Sequence, residues 1–135
     1  MSSPNFLSHS LNVALGGAVG AWLRFVTGGL VLRLIGPTAS AAFPWATLLI
    51  NVTGSFAMGL LAGWLARYGE GGESTRLLLG VGLLGGFTTF SAFSLEITNL
   101  AERGAADMAA LYAVTSVGAG VVGLFTGLAV MRSMA

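Results

Sequence analysis

Hydrophobic residues fall into four long runs along the chain, separated by short stretches that contain glycine, proline or charged residues. The runs cover residues 11–32, 43–66, 77–98 and 108–131. A helix needs about 20 mainly apolar residues to cross a hydrocarbon core about 30 Å thick. The pattern therefore predicts an all-α membrane protein, with four transmembrane helices in one domain that covers residues 1–135.

The connections between the runs are short. Residues 33–42 contain a Gly-Pro pair, residues 67–76 contain the polar sequence GEGGES, and residues 98–107 contain AERG. Each of these compositions is typical of a turn or loop. Four spans joined so closely have little interior of their own, which favours assembly with a second copy.

The arginines in the connections hardly distinguish the two sides of the membrane. Since positive side chains favour the cytoplasmic side, so balanced a distribution gives little instruction for orientation. Two hypotheses stay open: insertion in both orientations with antiparallel pairing of two copies, or one orientation set by the small bias. The arginines are Arg67, Arg76 and Arg132 on one side, and Arg33 and Arg103 on the other.

Composition supports lipid as the surrounding medium. Only 8% of the residues are charged and 55% are hydrophobic, whereas soluble domains carry roughly 25% charged residues. The chain has no cysteine and one histidine, His9, so neither a thiolate metal site nor a His-based catalytic triad is expected. The net charge of +1 argues against a nucleic-acid partner. No nucleophile–base pair is visible, so we do not expect an enzyme.

Small residues recur four positions apart in every run. This spacing lets helices approach closely in lipid, so it predicts a tightly packed bundle. The pairs are Gly16 and Gly20, Gly59 and Gly63, Gly82 and Gly86, and Gly123 and Gly127.

Polar side chains inside the runs are the first candidates for function. Asn51 precedes Ser55 by four positions in the second run, and Tyr112 precedes Ser116 by four in the fourth. Each pair lies on one helix face. Two interpretations stay open for both pairs, namely hydrogen bonds between helices and a polar track for a permeating species.

Two charged residues lie within or beside the runs. Arg24 is near the middle of the first run, where a charge normally faces protein, water or a partner, although it can also snorkel to the interface. Its functional interpretation is attraction of an anion or anchoring of a vestibule. Glu96 follows the apolar part of the third run and is expected at a membrane boundary, either as a functional carboxylate or as a solvated helix end.

The sequence GGFTTFSAF at residues 85–93 is unusual for a membrane helix. The glycine pair followed by two threonines predicts an interruption near the middle of the third helix. Interrupted backbone at membrane depth is tolerated only where it is buried in protein or lines a cavity. Free carbonyl groups at such a place can hold a cation.

Aromatic and hydroxyl side chains follow this interruption. Phe90 and Phe93 are neighbours three positions apart, as are Ser91 and Ser94. An aromatic ring has a positive edge, so the rings can solvate a small anion; the alternative is that they face lipid or fill the bundle. Neutral donors replace hydration without trapping an ion, but the residue types alone do not select fluoride.

Several motifs together resemble those of the Fluc (CrcB) fluoride channels. GGAVGAWLRF at 16–25 is similar to the GGxxGAxxR start of that family, and TLLINVTGSF at 47–56 to its central Asn motif. GGFTTFSAF at 85–93 is similar to the specific signature GGxTTFSTF, with Ala92 where the family often has threonine. The resemblance covers essentially the whole chain.

The resemblance implies a channel that exports fluoride passively across the inner (plasma) membrane. It implies an antiparallel, dual-topology homodimer with two pores and a structural sodium ion at its centre. The residues it assigns to the fluoride pore are Asn51, Phe90, Ser91, Phe93, Ser94, Tyr112 and Ser116. It assigns Arg24 and Glu96 to the vestibules, and the sodium ligands to the carbonyls of Gly85 and Thr88.

Two other functions are kept as alternatives. A proton-coupled exporter of the small multidrug type also has four spans and dual topology, but it needs a carboxylate embedded in the membrane, and Glu96 is expected at an edge. A structural or assembly subunit would have no transport activity. Fluoride efflux by the purified protein alone distinguishes a channel from such a subunit.

Overall fold

The computed structural model describes residues 4–69 and 72–134, and every regular element within them is helical. Each predicted run overlaps a helical span that is long and apolar enough to cross a membrane. The chain is therefore an all-helical, multi-pass membrane protein. The first to fourth spans are Asn5–Ala42, Trp45–Tyr68, Gly72–Glu102 and Ala106–Ser133.

The first span is longer than its run of hydrophobic residues predicts. Residues 33–42, expected as a loop, are helical on both sides of a kink at Gly36, where φ is +81° and ψ is 166°. Glycine adopts positive φ at little cost, and Pro37 has no backbone N–H to continue the hydrogen-bond ladder. Phe43 and Pro44, expected at the start of the second helix, instead form a short link before Trp45.

The third span begins at Gly72, five positions earlier in the sequence than the predicted run, which starts at residue 77. Residues 72–75, which include the last three residues of the GEGGES sequence, form a helix rather than a turn, and Glu70 and Gly71 lie outside the described residues. A wider π-helical stretch follows at Arg76–Leu84. It leads into a short α-helical turn at Gly85–Phe87, so the glycine pair expected to interrupt the helix is itself helical.

Two threonines separate this part of the third span from the helix Phe90–Glu102. Thr88 has φ −82° and ψ 156°, and Thr89 has φ −151° and ψ 123°, both in the extended region. The Thr89 hydroxyl accepts a hydrogen bond from the Ala92 N–H at 3.2 Å. A threonine side chain in this role caps the start of a helix, which explains why the helix resumes at Phe90.

Glycines bring the helices into backbone contact, as their spacing predicts. A Cβ atom on Gly16 of the first span would collide with the Leu78 carbonyl oxygen of the third. Likewise, a Cβ atom on Gly127 of the fourth span would collide with the Phe56 carbonyl oxygen of the second. These approaches pair the first span with the third and the second with the fourth.

The interior of the chain is small. Many large apolar side chains face outward, among them Phe25, Leu34 and Val114. Extended apolar surface of this kind marks contact with lipid or with another protein. The buried apolar residues are Val31, Ile50, Leu100, Ala109 and Tyr112.

Candidate functional site

A cavity of about 300 Å³ lies beside the two extended threonines. We call it the interruption cavity. The second, third and fourth spans contribute to its walls, which combine hydroxyl groups, one amide, aromatic rings and apolar side chains. Polar and aromatic residues in its lining are Asn51, Ser55, Thr88, Thr89, Phe90, Phe93 and Ser116.

Asn51 holds the extended backbone against the second span. Its Nδ2 donates to the Thr89 carbonyl oxygen at 3.3 Å, and the Thr89 N–H donates to its Oδ1 at 3.0 Å. The side-chain amide thus satisfies both backbone polar groups of Thr89, which would otherwise lack partners at this depth. The prediction that Asn51 forms hydrogen bonds between helices is confirmed, because it joins the second span to the third. The side-chain amide of Asn51 has a second N–H, which takes no part in these two hydrogen bonds.

The two phenylalanines of the motif lie close together. The ring centroids of Phe90 and Phe93 are 5.6 Å apart, and the Phe93 and Tyr112 centroids are 5.3 Å apart. Phe93 is half-buried and packs against the buried cluster that contains Tyr112. Phe90 is 79% exposed, so one wall of the interruption cavity faces away from the rest of the chain.

The three serines expected in the track have different surroundings. Ser91 shares a hydrogen bond with the Thr89 hydroxyl at 3.1 Å. Ser94 donates to the Phe90 carbonyl oxygen at 3.0 Å. Ser116 lines the cavity, and its buried hydroxyl has no hydrogen-bond partner among residues 4–69 and 72–134. A buried polar atom without a partner calls for an explanation.

Glu96 lies in the middle of the helix Phe90–Glu102, so the interpretation as a solvated helix end is wrong. Its two carboxylate oxygens accept hydrogen bonds of 2.6 Å each, one from the Thr47 hydroxyl and one from the Tyr112 hydroxyl. Bonds from hydroxyl groups to a carboxylate are strong and hold it firmly. Tyr112 contacts Glu96 rather than lining the interruption cavity.

Thr47 is a site residue that the sequence interpretation missed. It is buried, and it lies on the second span four positions before Asn51 and eight before Ser55. Residues at this spacing share one face of a helix. The signal that could have found it is a polar stripe along the second span, of which the sequence interpretation used only the last two members.

A second cavity, of about 770 Å³, lies where the first and second spans meet the end of the third. Glu96 lines it together with Asn99, Glu102 and Arg103. Arg24, expected at a vestibule, is half-buried on the first span and lines neither this cavity nor the interruption cavity.

The carbonyl groups expected to bind a cation lose their regular helical donors. In an unbroken helix, Gly85 would accept from the Thr89 N–H and Thr88 from the Ala92 N–H. These two amides donate instead to Asn51 Oδ1 and to the Thr89 hydroxyl. Oxygen ligands of this kind suit a hard cation, so these carbonyls are compatible with the sodium site that the family resemblance implies.

Comparisons with known proteins place the chain among related sequences. Residues 11–128 match the family profile described as "CrcB-like protein, Camphor Resistance (CrcB)". A Novosphingobium aromaticivorans protein named fluoride-specific ion channel FluC is 63% identical over 123 residues, which cover 91% of this chain and 95% of that protein. A protein of the same name from Erythrobacter litoralis is 50% identical over an alignment of 136 positions, which covers 100% of this chain and 100% of that protein. These relatives are named as ion channels, which are not enzymes.

Proposed function

Because the chain belongs to the CrcB-like family, we propose that it is a passive, fluoride-selective channel that exports fluoride across the inner membrane. The family resemblance inferred from the motifs is confirmed by the match over residues 11–128. The observation that carries the proposal is the interruption cavity. Its lining within the described residues contains aromatic rings, hydroxyls and an amide, but no lysine or arginine.

This lining suits a small, strongly hydrated anion. Ring edges and neutral donors replace water around the ion without binding it so tightly that it cannot leave. In this proposal, Phe90 and Phe93 contact fluoride through their edges. The buried Ser116 hydroxyl and the remaining Asn51 N–H supply hydrogen bonds. Ser91, Ser94 and Tyr112 continue the track beyond the cavity, where the Ser94 and Tyr112 hydroxyls would have to leave Phe90 and Glu96 to reach the ion.

The pore is completed by a second copy of the chain. Phe90 lines the interruption cavity yet is 79% exposed, so an antiparallel partner would close the open wall. The small interior and the outward apolar side chains favour the same assembly. In such a homodimer the two copies would form two pores, each with residues from both chains. Glu96 and Arg24 would lie toward the vestibules.

A sodium ion at the dimer centre belongs to this proposal. The carbonyls of Gly85 and Thr88 would hold it, because the amides that normally pair with them donate elsewhere. The ion would supply a positive charge near the fluoride path. The described side chains that line the interruption cavity supply no such charge. Replacing sodium by a large organic cation in all buffers should lower the thermal stability of the dimer, and an unchanged stability would argue against a structural ion.

Fluoride efflux from liposomes that contain only this protein tests the function. With a potassium gradient and a potassium ionophore, and with no pH gradient, fluoride should leave while chloride is retained. Efflux that requires a pH gradient would indicate a proton-coupled exporter instead. No efflux of either ion from liposomes that contain folded dimer would support the structural subunit.

Dual topology has its own test. A tag at the C-terminus should react with an impermeant reagent from both sides of the membrane, in similar amounts. Reaction from one side alone would contradict insertion in both orientations and therefore the antiparallel homodimer.

A further inference from the structure

The link between the first and second spans has a fixed backbone. The Phe43 N–H donates to the Ala39 carbonyl oxygen at 3.2 Å, and the Trp45 N–H donates to the Phe43 carbonyl oxygen at 2.8 Å. Phe43 is half-buried and packs against the buried cluster that contains Tyr112. The link therefore inserts an aromatic ring into the protein interior.

The Phe43 ring meets Tyr112 edge-on. Their centroids are 5.5 Å apart and their planes are 86° apart, a favourable arrangement for two aromatic rings. Tyr112 also contacts Phe93. The exposed fraction of the Tyr112 side chain is 0%. Tyr112 is thus held by one ring from the link and by one ring from the third span.

The position of the Tyr112 ring determines where its hydroxyl group lies. That hydroxyl donates to Glu96 at 2.6 Å, and Thr47 donates to the other oxygen of the same carboxylate. A tyrosine side chain is rigid beyond two torsions, so a tilt of the ring moves the oxygen. Removing the Phe43 ring would leave space beside Tyr112 and loosen this contact.

A second contact holds the link at its other side. Arg103, just after the third span, donates from Nη1 to the Ala41 carbonyl oxygen at 3.0 Å and from Nε to the Asn99 carbonyl oxygen at 3.1 Å. Ala41 is two positions before Phe43. The guanidinium group therefore ties the end of the first span, two positions before Phe43, to the end of the third.

We propose that Phe43 is a positioning residue for the fluoride path, which acts by holding the Tyr112 ring against Phe93 with its hydroxyl on Glu96. This inference rests on the proposed function, since fluoride flux is its main readout. Phe43 itself lines neither the interruption cavity nor the second cavity, so its effect passes through Tyr112.

Substitutions at the link separate this role from a general effect on folding. Phe43→Leu should lower fluoride efflux per dimer about tenfold, comparable to the loss of one aromatic pair. Phe43→Tyr keeps the ring and should stay within about twofold of the unmodified protein. Phe43→Met, which roughly conserves volume without a ring, replaces Phe43→Leu if the leucine variant does not elute as a folded dimer.

Trp22→Leu is the matched control. Trp22 is an aromatic residue of the first span that is 61% exposed and lines neither cavity, so its replacement should leave efflux unchanged. A combination with Tyr112→Phe, which keeps the ring and removes the hydroxyl, completes a double-mutant cycle. If Phe43 acts through that hydroxyl, Phe43→Leu should reduce efflux much less in the Tyr112→Phe background than in the unmodified protein.

The outcomes are distinguishable. Equal tenfold losses in both backgrounds, or full efflux by Phe43→Leu and Phe43→Met, would overturn the positioning role while the unmodified protein still conducts fluoride. A loss in Trp22→Leu as large as in Phe43→Leu would also overturn it. If the unmodified dimer conducts no fluoride, the proposed function fails first and this inference fails with it.

Discussion

The two parts of the third span have different surroundings. Residues 76–87 lie against the first span, and glycines there bring backbone against backbone; a Cβ atom on Gly86 would lie 2.6 Å from the Gly17 carbonyl oxygen. The helix Phe90–Glu102 instead presents rings, hydroxyls and a carboxylate to the second and fourth spans. One span thus divides into a part that packs and a part that carries polar chemistry.

The two extended threonines make this division possible. Backbone without helical hydrogen bonds is costly in lipid unless other groups replace them. Asn51 pairs with both polar groups of Thr89, and the Thr89 hydroxyl caps the helix that follows. The interruption is therefore compensated from the second span, so each part of the third span follows its own packing partner.

The largest effect is expected where the packing part touches the first span. Gly16→Val places a side chain on the Leu78 carbonyl oxygen, which no rotamer change relieves. We expect a loss of about 3 kcal/mol or more of folding free energy, seen as the absence of a monodisperse dimer in size-exclusion chromatography.

Gly29→Val is the control for this substitution. Gly29 lies on the same span and is exposed, and a Cβ atom added there would meet no neighbouring atom of the described residues within 4 Å. The variant should elute like the unmodified protein. If Gly16→Val also elutes as a stable dimer with normal efflux, the close approach of these two helices is not needed for folding.

A smaller effect is expected at the joint between the two parts. Asn51→Asp removes the Nδ2–H that donates to the Thr89 carbonyl oxygen and places a carboxylate beside that oxygen. We expect about 1–3 kcal/mol of destabilisation and a fall in fluoride efflux of about tenfold, since the interruption cavity shares this amide. Thermal unfolding and liposome efflux measure the two effects separately.

The same change at an exposed asparagine serves as the comparison. Asn5→Asp, near the start of the first span, should alter neither stability nor efflux appreciably. Unchanged stability of Asn51→Asp would mean that its amide does not hold the interrupted backbone.

The smallest effect is expected at the carboxylate end of the polar part. Thr47→Val keeps the shape of the side chain but removes the hydroxyl that donates to Glu96. Because Tyr112 still donates to the same carboxylate, we expect about 1 kcal/mol of destabilisation and about a threefold fall in efflux. Thr47→Ser keeps the hydroxyl and should behave normally; equal efflux by the valine and serine variants would remove Thr47 from the site.

Hydropathy and spacing predicted the features that depend on local periodicity. The four runs and the glycine contacts follow from residues that are near one another in sequence, as does the proximity of Phe90 and Phe93. The exact place of the extended backbone did not follow from propensity, since Gly85 is helical although glycine is a poor helix former. The extended backbone lies at Thr88 and Thr89, where Asn51 pairs with the Thr89 backbone and the Thr89 hydroxyl caps the next helix.

The carboxylate cluster depended on contacts that local patterns do not contain. Thr47 and Glu96 are 49 positions apart, and the partner of each is set by how the second and third spans pack. Phe43 was expected within the second helix, whereas Pro44 and the kink at Gly36 place it in a link. The roles of Thr47 and Phe43 can therefore be recognised only from the tertiary structure.

Fluoride efflux by Phe90→Ile, compared with the unmodified dimer in the same liposomes, tests most directly whether the polar part of the third span carries the ion. Isoleucine keeps the apolar character of the side chain but has no ring edge, so efflux should fall at least about tenfold while the dimer stays intact. Phe25→Ile, at another exposed ring on the first span, should leave efflux unchanged. Normal fluoride efflux and selectivity over chloride in Phe90→Ile would contradict the central role of the ring edges.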